Sequence, residues 1–274
     1  MGKKMSGGKK RGEGKKMRIG LLGCGNIGRI LADAIDREEV DCSLVAVFDQ
    51  DIERARELAT QLRRKPDVAD SIEGLLQDTD LVVEAASQDA VRDYGVKVLD
   101  SGKDILIMSV GALADEALFN ELTQLINKTG RRIYVPSGAI AGLDGIKAAK
   151  TKGIDSVELT TRKPPAELGT TTDKETIVYE GTAREGIKKF PKNVNVAATL
   201  SLVGMGFDKT KLRIIADPDV NRNVHEIRVV GMFGEFNIKM ENLPSPNNPK
   251  TSYLAAMSTI ATLKEINSAI QLGT

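Results

Sequence analysis

At 274 residues, with 41% hydrophobic and 28% charged side chains, the chain has the make-up of a packed globular protein of about two domains and lacks the low-apolar profile of a disordered one. No apolar run approaches the roughly 18 to 20 residues that cross a bilayer, and the start is too polar for a secretory signal, which excludes a membrane span and export by that route. The 39 Lys/Arg nearly balance 38 Asp/Glu, but Met1–Lys16 holds seven basic residues and one acidic, so a tail of +6 precedes a body of −5.

Residues 1–16, Gly- and Lys-rich without periodicity, are expected to be a disordered basic tail, with a weak nucleic-acid or membrane-surface arm as the other reading. Met17–Leu22 is a short apolar run ending in glycine, and Asn26–Ile35 repeats Ile27, Ile30, Leu31 and Ala34 at helical spacing, so strand, turn and helix are predicted. Ser43–Phe48 is a second strand closed by Asp49, and Ile52–Leu62 an amphipathic helix with Glu53, Arg54, Arg56 and Glu57 outward. Strands at Asp80–Glu84, Asp104–Met108 and Arg132–Val135 alternate with helices at Ala90–Ser101 and Asp115–Thr129. Near-continuous apolar strands between helices imply a parallel sheet covered on both faces, because neither face meets water. Residues 17–137 are thus expected to form a Rossmann-type doubly wound parallel sheet of the α/β class.

After Ser137 the texture turns to Gly-, Pro- and Thr-rich links and alternating strands at Ser156–Thr161, Arg213–Ala216 and His225–Met232, the pattern of an antiparallel sheet with one exposed face. A second, α+β domain is expected over residues 138–250. Thr251–Leu272 carries Leu254, Met257, Ile260, Leu263, Ile266 and Ile270 at helical spacing, and the segment 251–274 is expected to return to the first domain as a helix.

The strongest local signal is Gly23-Cys24-Gly25-Asn26-Ile27-Gly28, directly after the first strand and opening the first helix. Gly23 suits the tight turn, Gly25 lets backbone approach a pyrophosphate, Gly28 lets helix and strand pack closely, and the helix start offers N–H groups to anionic oxygens. Asp49, 21 residues past Gly28, is placed to accept from the ribose hydroxyls and disfavours a 2′-phosphate. NAD is the expected cofactor, with NADP as the alternative because Arg54 and Arg56 follow. Ala85-Ala86-Ser87 and Ser109-Val110-Gly111 end strands on the same rim, as plain turns or as lining of the nicotinamide path. Cys24 and Cys42, without other Cys or a His cluster, build neither a disulfide framework nor a metal site, which fits a reducing cytoplasm. The acidic body has ten aromatic residues and no Trp, so nucleic acid is excluded as the main partner. His225 is the single histidine and hence the one side chain that titrates near neutrality unperturbed, a general base or a structural hydrogen-bonded group.

Gly23–Gly28 together with Ser137-Gly138-Ala139-Ile140-Ala141-Gly142-Leu143-Asp144, Thr161-Arg162-Lys163-Pro164-Pro165, Asn193-Val194-Asn195-Val196-Ala197-Ala198-Thr199 and Asn223-Val224-His225-Glu226 resembles the L-aspartate dehydrogenase family from Met17 onward. Ala141 departs from the pattern, where relatives often carry Gly. The resemblance implies a homo-oligomer, with 138–250 as a substrate and oligomerisation domain, that oxidises L-aspartate to iminoaspartate with NAD or NADP. The imine then hydrolyses to oxaloacetate and ammonia or is handed to a quinolinate-forming enzyme. By position the resemblance makes His225 the active-site histidine, and Ala139 and Asn195 cofactor-binding residues beside Gly23, Gly25, Asn26, Ile27, Gly28, Asp49, Ala85 and Ser87. Arg162, Lys163, Thr170 and Thr171 are candidate donors for the two substrate carboxylates, Arg162 and Lys163 being equally readable as a solvated strand end. A homoserine dehydrogenase, a dihydrodipicolinate reductase and a non-catalytic NAD sensor remain the alternatives.

Overall fold

The strand Met17–Leu22 (β1) is buried over its last four residues, as an apolar segment must be when helices cover both faces of its sheet. The computed structural model describes residues 16–190, 195–246, 248–270 and 272, so the basic tail lies, except for Lys16, outside the described residues. After β1 come α1 (Asn26–Asp36), β2 (Cys42–Phe48), α2 (Ile52–Gln61), β3 (Asp67–Val68), α3 (Ile72–Leu76), β4 (Leu81–Glu84), α4 (Gln88–Asp100), β5 (Asp104–Ile107), a short 3₁₀ turn over Val110–Ala114, α5 (Glu116–Thr129) and β6 (Ile133–Tyr134). The six strands lie parallel in the order β3-β2-β1-β4-β5-β6. Two apolar layers flank them, one around Leu75, Val91, Leu99 and Leu122, the other around Leu31, Ala55, Leu58 and Leu263. Chain order reverses between β1 and β4, and such a reversal opens a crevice at the carboxyl ends of the strands. The short β3 and α3 are elements the periodicity does not announce, because neither is long enough to complete a pattern.

The remaining elements are α6 (Leu143–Lys150), β7 (Ile154–Lys163), β8 (Thr176–Thr182), α7 (Ala183–Lys189), α8 (Asn195–Val203), β9 (Lys211–Ala216), β10 (Asn223–Gly231), β11 (Gly234–Asn242), β12 (Pro244–Ser245), β13 (Asn248–Ser252) and α9 (Tyr253–Ile266). The second sheet runs β11-β10-β7-β9-β8 and corrects the antiparallel expectation, since β7 and β9 pair in parallel. The reason is connectivity: the long crossover between them, through β8, α7 and α8, returns the chain in its original direction. One face packs Val157, Leu159, Ile214, Ile227 and Val229 into a third core, and the other is laced with ion pairs such as Lys211–Glu158 and Arg228–Glu235.

The C-terminal helix is shorter than expected. Thr251 and Ser252 finish β13, and α9 stops at Ile266, where Asn267 caps it and donates to the Asp41 carbonyl at 3.1 Å. Leu263 is fully buried against the α1 layer, with Ile260 and Ile266 beside it, whereas Ile270 and Leu272 face solvent and have nothing apolar to hold a further turn. No helix among the described residues is long and apolar enough to cross a membrane.

Candidate active site

The first wall of the site is the glycine turn. Gly23 has φ +103°, a conformation in which L side chains are strained, and its N–H donates to the Phe48 carbonyl at 2.8 Å, tying the turn to β2. A Cβ on Gly28 would stand 2.0 Å from the Gly23 carbonyl oxygen, so close helix–turn packing demands glycine there. Around Gly25 the reverse holds: a Cβ would meet nothing within 4 Å, and α1 starts with no side-chain cap. An uncapped helix start facing open space is a cradle for an anionic group, and it fits a pyrophosphate. Asp49 closes the turn from β2, accepting the Cys24 N–H at 2.7 Å and the Asp51 N–H at 2.9 Å. Burial pushes the Cys24 thiol up to about 12, which leaves it an inert filler of the turn.

Gly25, Asn26 and Ile27 open onto a cavity of about 350 Å³ that reaches from the first sheet to the second. Ala85 and Ala86 after β4, and Met108, Ser109 and Val110 after β5, form its floor on the crevice side. Beneath them Glu84 is completely buried. Its Oε1 accepts the Ala86 N–H and the Ser109 hydroxyl, both at 2.8 Å, and its Oε2 accepts the Ser109 N–H at 2.9 Å and the Met108 N–H at 3.1 Å. Burial raises the carboxyl's proton affinity and the Ser109, Ala86 and Met108 donors oppose that. Burial has the larger hold and the pKa is raised, while the four donated hydrogen bonds clamp the ends of β4 and β5 together. The sequence pattern did not single out Glu84, although a carboxylate ending an otherwise apolar strand is a legible oddity.

Ala139 and Asn195 reach the same cavity from the other side. The Ala139 carbonyl accepts from Asn242 Nδ2 at 2.9 Å within the second half, while Asn195 Oδ1 accepts the Gly111 N–H at 3.0 Å and Asn26 Nδ2 donates to Ser245 Oγ at 2.8 Å, so these last two bonds stitch the halves around the opening.

The second wall is built on alternation. Along β7 the inward row runs Val157, Leu159, Thr161, Lys163, apolar in the core and polar where the strand reaches the cavity. Lys163 and His225 line the cavity at 5% and 4% exposure, and Lys163 Nζ lies 3.7 Å from Glu167 Oε2. Burial depresses the Lys163 pKa, with Glu167 opposing. His225 Nδ1 lies 3.0 Å from Thr161 Oγ1, which leaves Nε2 as the ring nitrogen for a ligand. Burial first and the Lys163 charge second push the imidazole down to about 3, so it stands neutral on the cavity wall.

Several candidates fall elsewhere. Arg162 is one residue out of phase with Lys163, so it points to the opposite face of the sheet, paired with Glu175, with Asp217 at 3.2 Å and with Glu226 at 3.5 Å. Thr170 and Thr171 sit in the loop before β8 and Ser87 caps α4 through the Ala90 N–H at 3.1 Å; none of the three lines the cavity. Asp49, Gly23 and Gly28 shape the turn behind the opening and do not line it. Outside it, a separate groove by α1 and α2 collects Arg29 and Arg54 with Asp51, Glu53 and Glu57. Asn193 and Val194 of the fourth sequence block lie outside the described residues.

Comparison with known proteins joins this geometry to a family. Residues 144–266 match the family model described as aspartate dehydrogenase, C-terminal, and residues 23–136 match homoserine dehydrogenase, NAD binding domain. An L-aspartate dehydrogenase of Methanosarcina barkeri is 50% identical over 94% of this chain and 100% of its own length, and one of Nitrosopumilus maritimus is 45% identical over 94% and 99%. The crystal structure of aspartate dehydrogenase from Thermotoga maritima superposes with a TM-score of 0.77 at 31% identity, covering 94% of this chain and 99% of that one. A scyllo-inositol dehydrogenase from Lactobacillus casei, at 14% identity and a TM-score of 0.57, shares the fold alone. With matches that span both sheets and the cavity between them, the chain belongs to the L-aspartate dehydrogenase family.

Proposed function

We propose that the protein oxidises L-aspartate to iminoaspartate with NAD as cofactor, using His225 as acid and base. The observation that carries this reading is the meeting of a neutral, buried imidazole, a buried lysine and an uncapped glycine-turn helix on one cavity. We assign residues 17–137, with 251–274, to holding the dinucleotide, and 138–250 to the substrate and to oligomerisation. Gly23, Gly25, Asn26, Ile27, Gly28 and Ala85, with Ala139 and Asn195, are the residues for the dinucleotide; Asp49 takes the ribose, and Ser87 acts only by holding the start of α4.

A bound nicotinamide supplies the hydride acceptor. The chain's own work is to free the substrate nitrogen's lone pair, because hydride leaves Cα only when nitrogen can donate electrons to it. In the tautomer where Nδ1–H donates to Thr161 Oγ1, Nε2 carries a lone pair into the cavity and takes the ammonium proton. The substrate carboxylates offset the Lys163 charge and raise the imidazole's proton affinity on binding. Lys163 supplies the charged donor for one of them. The second cannot be held by Arg162, whose guanidinium is committed to three acidic partners on the far face.

The preference for NAD over NADP is supported by Asp49 at the turn and by the three carboxylates that outnumber two arginines in the neighbouring groove, where a 2′-phosphate would be repelled. Two buried, free thiols suit a reducing cytoplasm, and release of iminoaspartate to water or to a quinolinate-forming enzyme follows from the proposed chemistry. The test is nicotinamide absorbance with L-aspartate, D-aspartate, glutamate and homoserine against both cofactors. L-Aspartate with NAD should dominate; cofactor binding without aspartate-dependent reduction overturns the reading in favour of a sensor.

A further inference from the structure

Asn223 is 5% exposed, lines the cavity, and its Oδ1 is sealed from solvent with no hydrogen-bond partner among the described residues. Such an oxygen, cut off from water, is costly to keep unless something donates to it. Nothing in the fold explains keeping an amide there, since beyond His225 the inward row of β10 turns apolar with Ile227 and Val229.

Register supplies the reason. Across β7 and β10, His225 pairs with Thr161 and Val224 with Arg162, so the next step sets Asn223 beside Lys163. Asn223 and His225 are two residues apart on one strand, hence on the same face, with backbone positions about 7 Å apart. The wall therefore presents a quartet: imidazole over hydroxyl, then amide beside ammonium. A ligand held here by a carboxylate on Lys163 brings the atom bonded to its Cα between the imidazole and the amide. An amino nitrogen answers both, giving one proton to His225 and a second N–H to Asn223. The terminal amide torsion is broad, so Oδ1 can turn towards it.

We propose that Asn223 Oδ1 recognises the amino group of the substrate, making Asn223 the residue that selects an amino acid over the corresponding dicarboxylate without nitrogen. A hydrogen bond from the amine also fixes which N–H faces His225, so that the lone pair freed by proton transfer lies antiperiplanar to the Cα–H bond that breaks. This rests on the function proposed above and adds to it the group that Lys163 and His225 leave unread.

The test is calorimetric titration of the protein saturated with NADH, using L-aspartate and succinate, on the wild type, Asn223→Ala and Asn223→Asp. Succinate keeps both carboxylates and lacks the amine, so it also reports that each variant is folded. In Asn223→Ala, aspartate affinity should fall at least about tenfold, as for a lost hydrogen bond to a charged donor, while succinate changes less than about threefold. Asn223→Asp keeps an acceptor and should retain the preference for aspartate over succinate. Equal weakening of both ligands, or no change in either, overturns the proposal and leaves the function standing. A wild type that binds succinate and aspartate alike and reduces no NAD with aspartate overturns both.

Discussion

Where the first sheet meets the cavity it presents the glycine turn with Asn26 and Ile27, then Ala85, Ala86, Met108, Ser109 and Val110; where the second sheet meets it, it presents Lys163, Asn223 and His225, three polar side chains each no more than 5% exposed, with Thr161 behind the imidazole. In the proposed function the first wall holds its ligand by shape and by the open helix start. The second recognises by functional group and holds its polar atoms away from water, where each is felt strongly. A dinucleotide, common to many reactions, suits the first kind of wall, and a small substrate that must be told from near neighbours suits the second.

This contrast can be broken at either wall. The largest expected effect is at the second: His225→Ala should lower kcat by about 10²–10⁴-fold with the NADH dissociation constant nearly unchanged. Turnover within tenfold of wild type would move the base elsewhere. Next, Lys163→Met should raise the KM for aspartate at least about tenfold and leave cofactor binding alone, and an unaltered KM would return Lys163 to a structural ion pair with Glu167.

The third prediction concerns pH. His225 is pushed down to about 3 in the fold against an ordinary value of 6.5, so the unfolded chain takes a proton that the native chain refuses. Stability is therefore intact above about pH 6.5 and falls as pH drops towards 3. Urea unfolding at pH 7 and pH 4.5 should show wild type losing about 2 kcal/mol more than His225→Gln; equal losses would place the ring in contact with water. The smallest effect sharpens the first wall. Gly28→Ala must shift the Gly23 carbonyl and should cost about 1 to 3 kcal/mol, whereas Gly25→Ala meets open space and should stay within about 0.5 kcal/mol while weakening NADH about tenfold. Thermal melts and NADH titration separate the two glycines.

The first sheet was readable because its instructions are local. Except for the two-residue β3, the strands of the βα alternation are apolar runs of their own, and the glycine turn follows its strand within the same stretch of sequence. The second sheet was read less well. Nothing near Ser156–Thr161 announces that its neighbour will be Lys211–Ala216 in parallel, because a segment of more than forty residues sets that pairing. Arg162 and Lys163 show the same limit within one dipeptide. Both are long cations, and which one lines the cavity depends on strand phase, which is set by Val157 and Leu159 facing the core. Glu84, and Asn223 within the Asn223-Val224-His225-Glu226 block, carry no role in the sequence because a lone carboxylate or amide in a strand has no pattern; only its surroundings give it meaning.

Composition, periodicity and motif spacing determined by themselves that this chain builds a doubly wound dinucleotide-type sheet followed by a second sheet and a helix, since hydrophobic period and glycine turns act over a few residues. Which polar side chains share the cavity was decided by tertiary structure alone. Strand register and the parallel crossover bring residues 161, 163, 223 and 225 together from distant parts of the chain, and burial then holds the His225 ring neutral and lowers the Lys163 pKa.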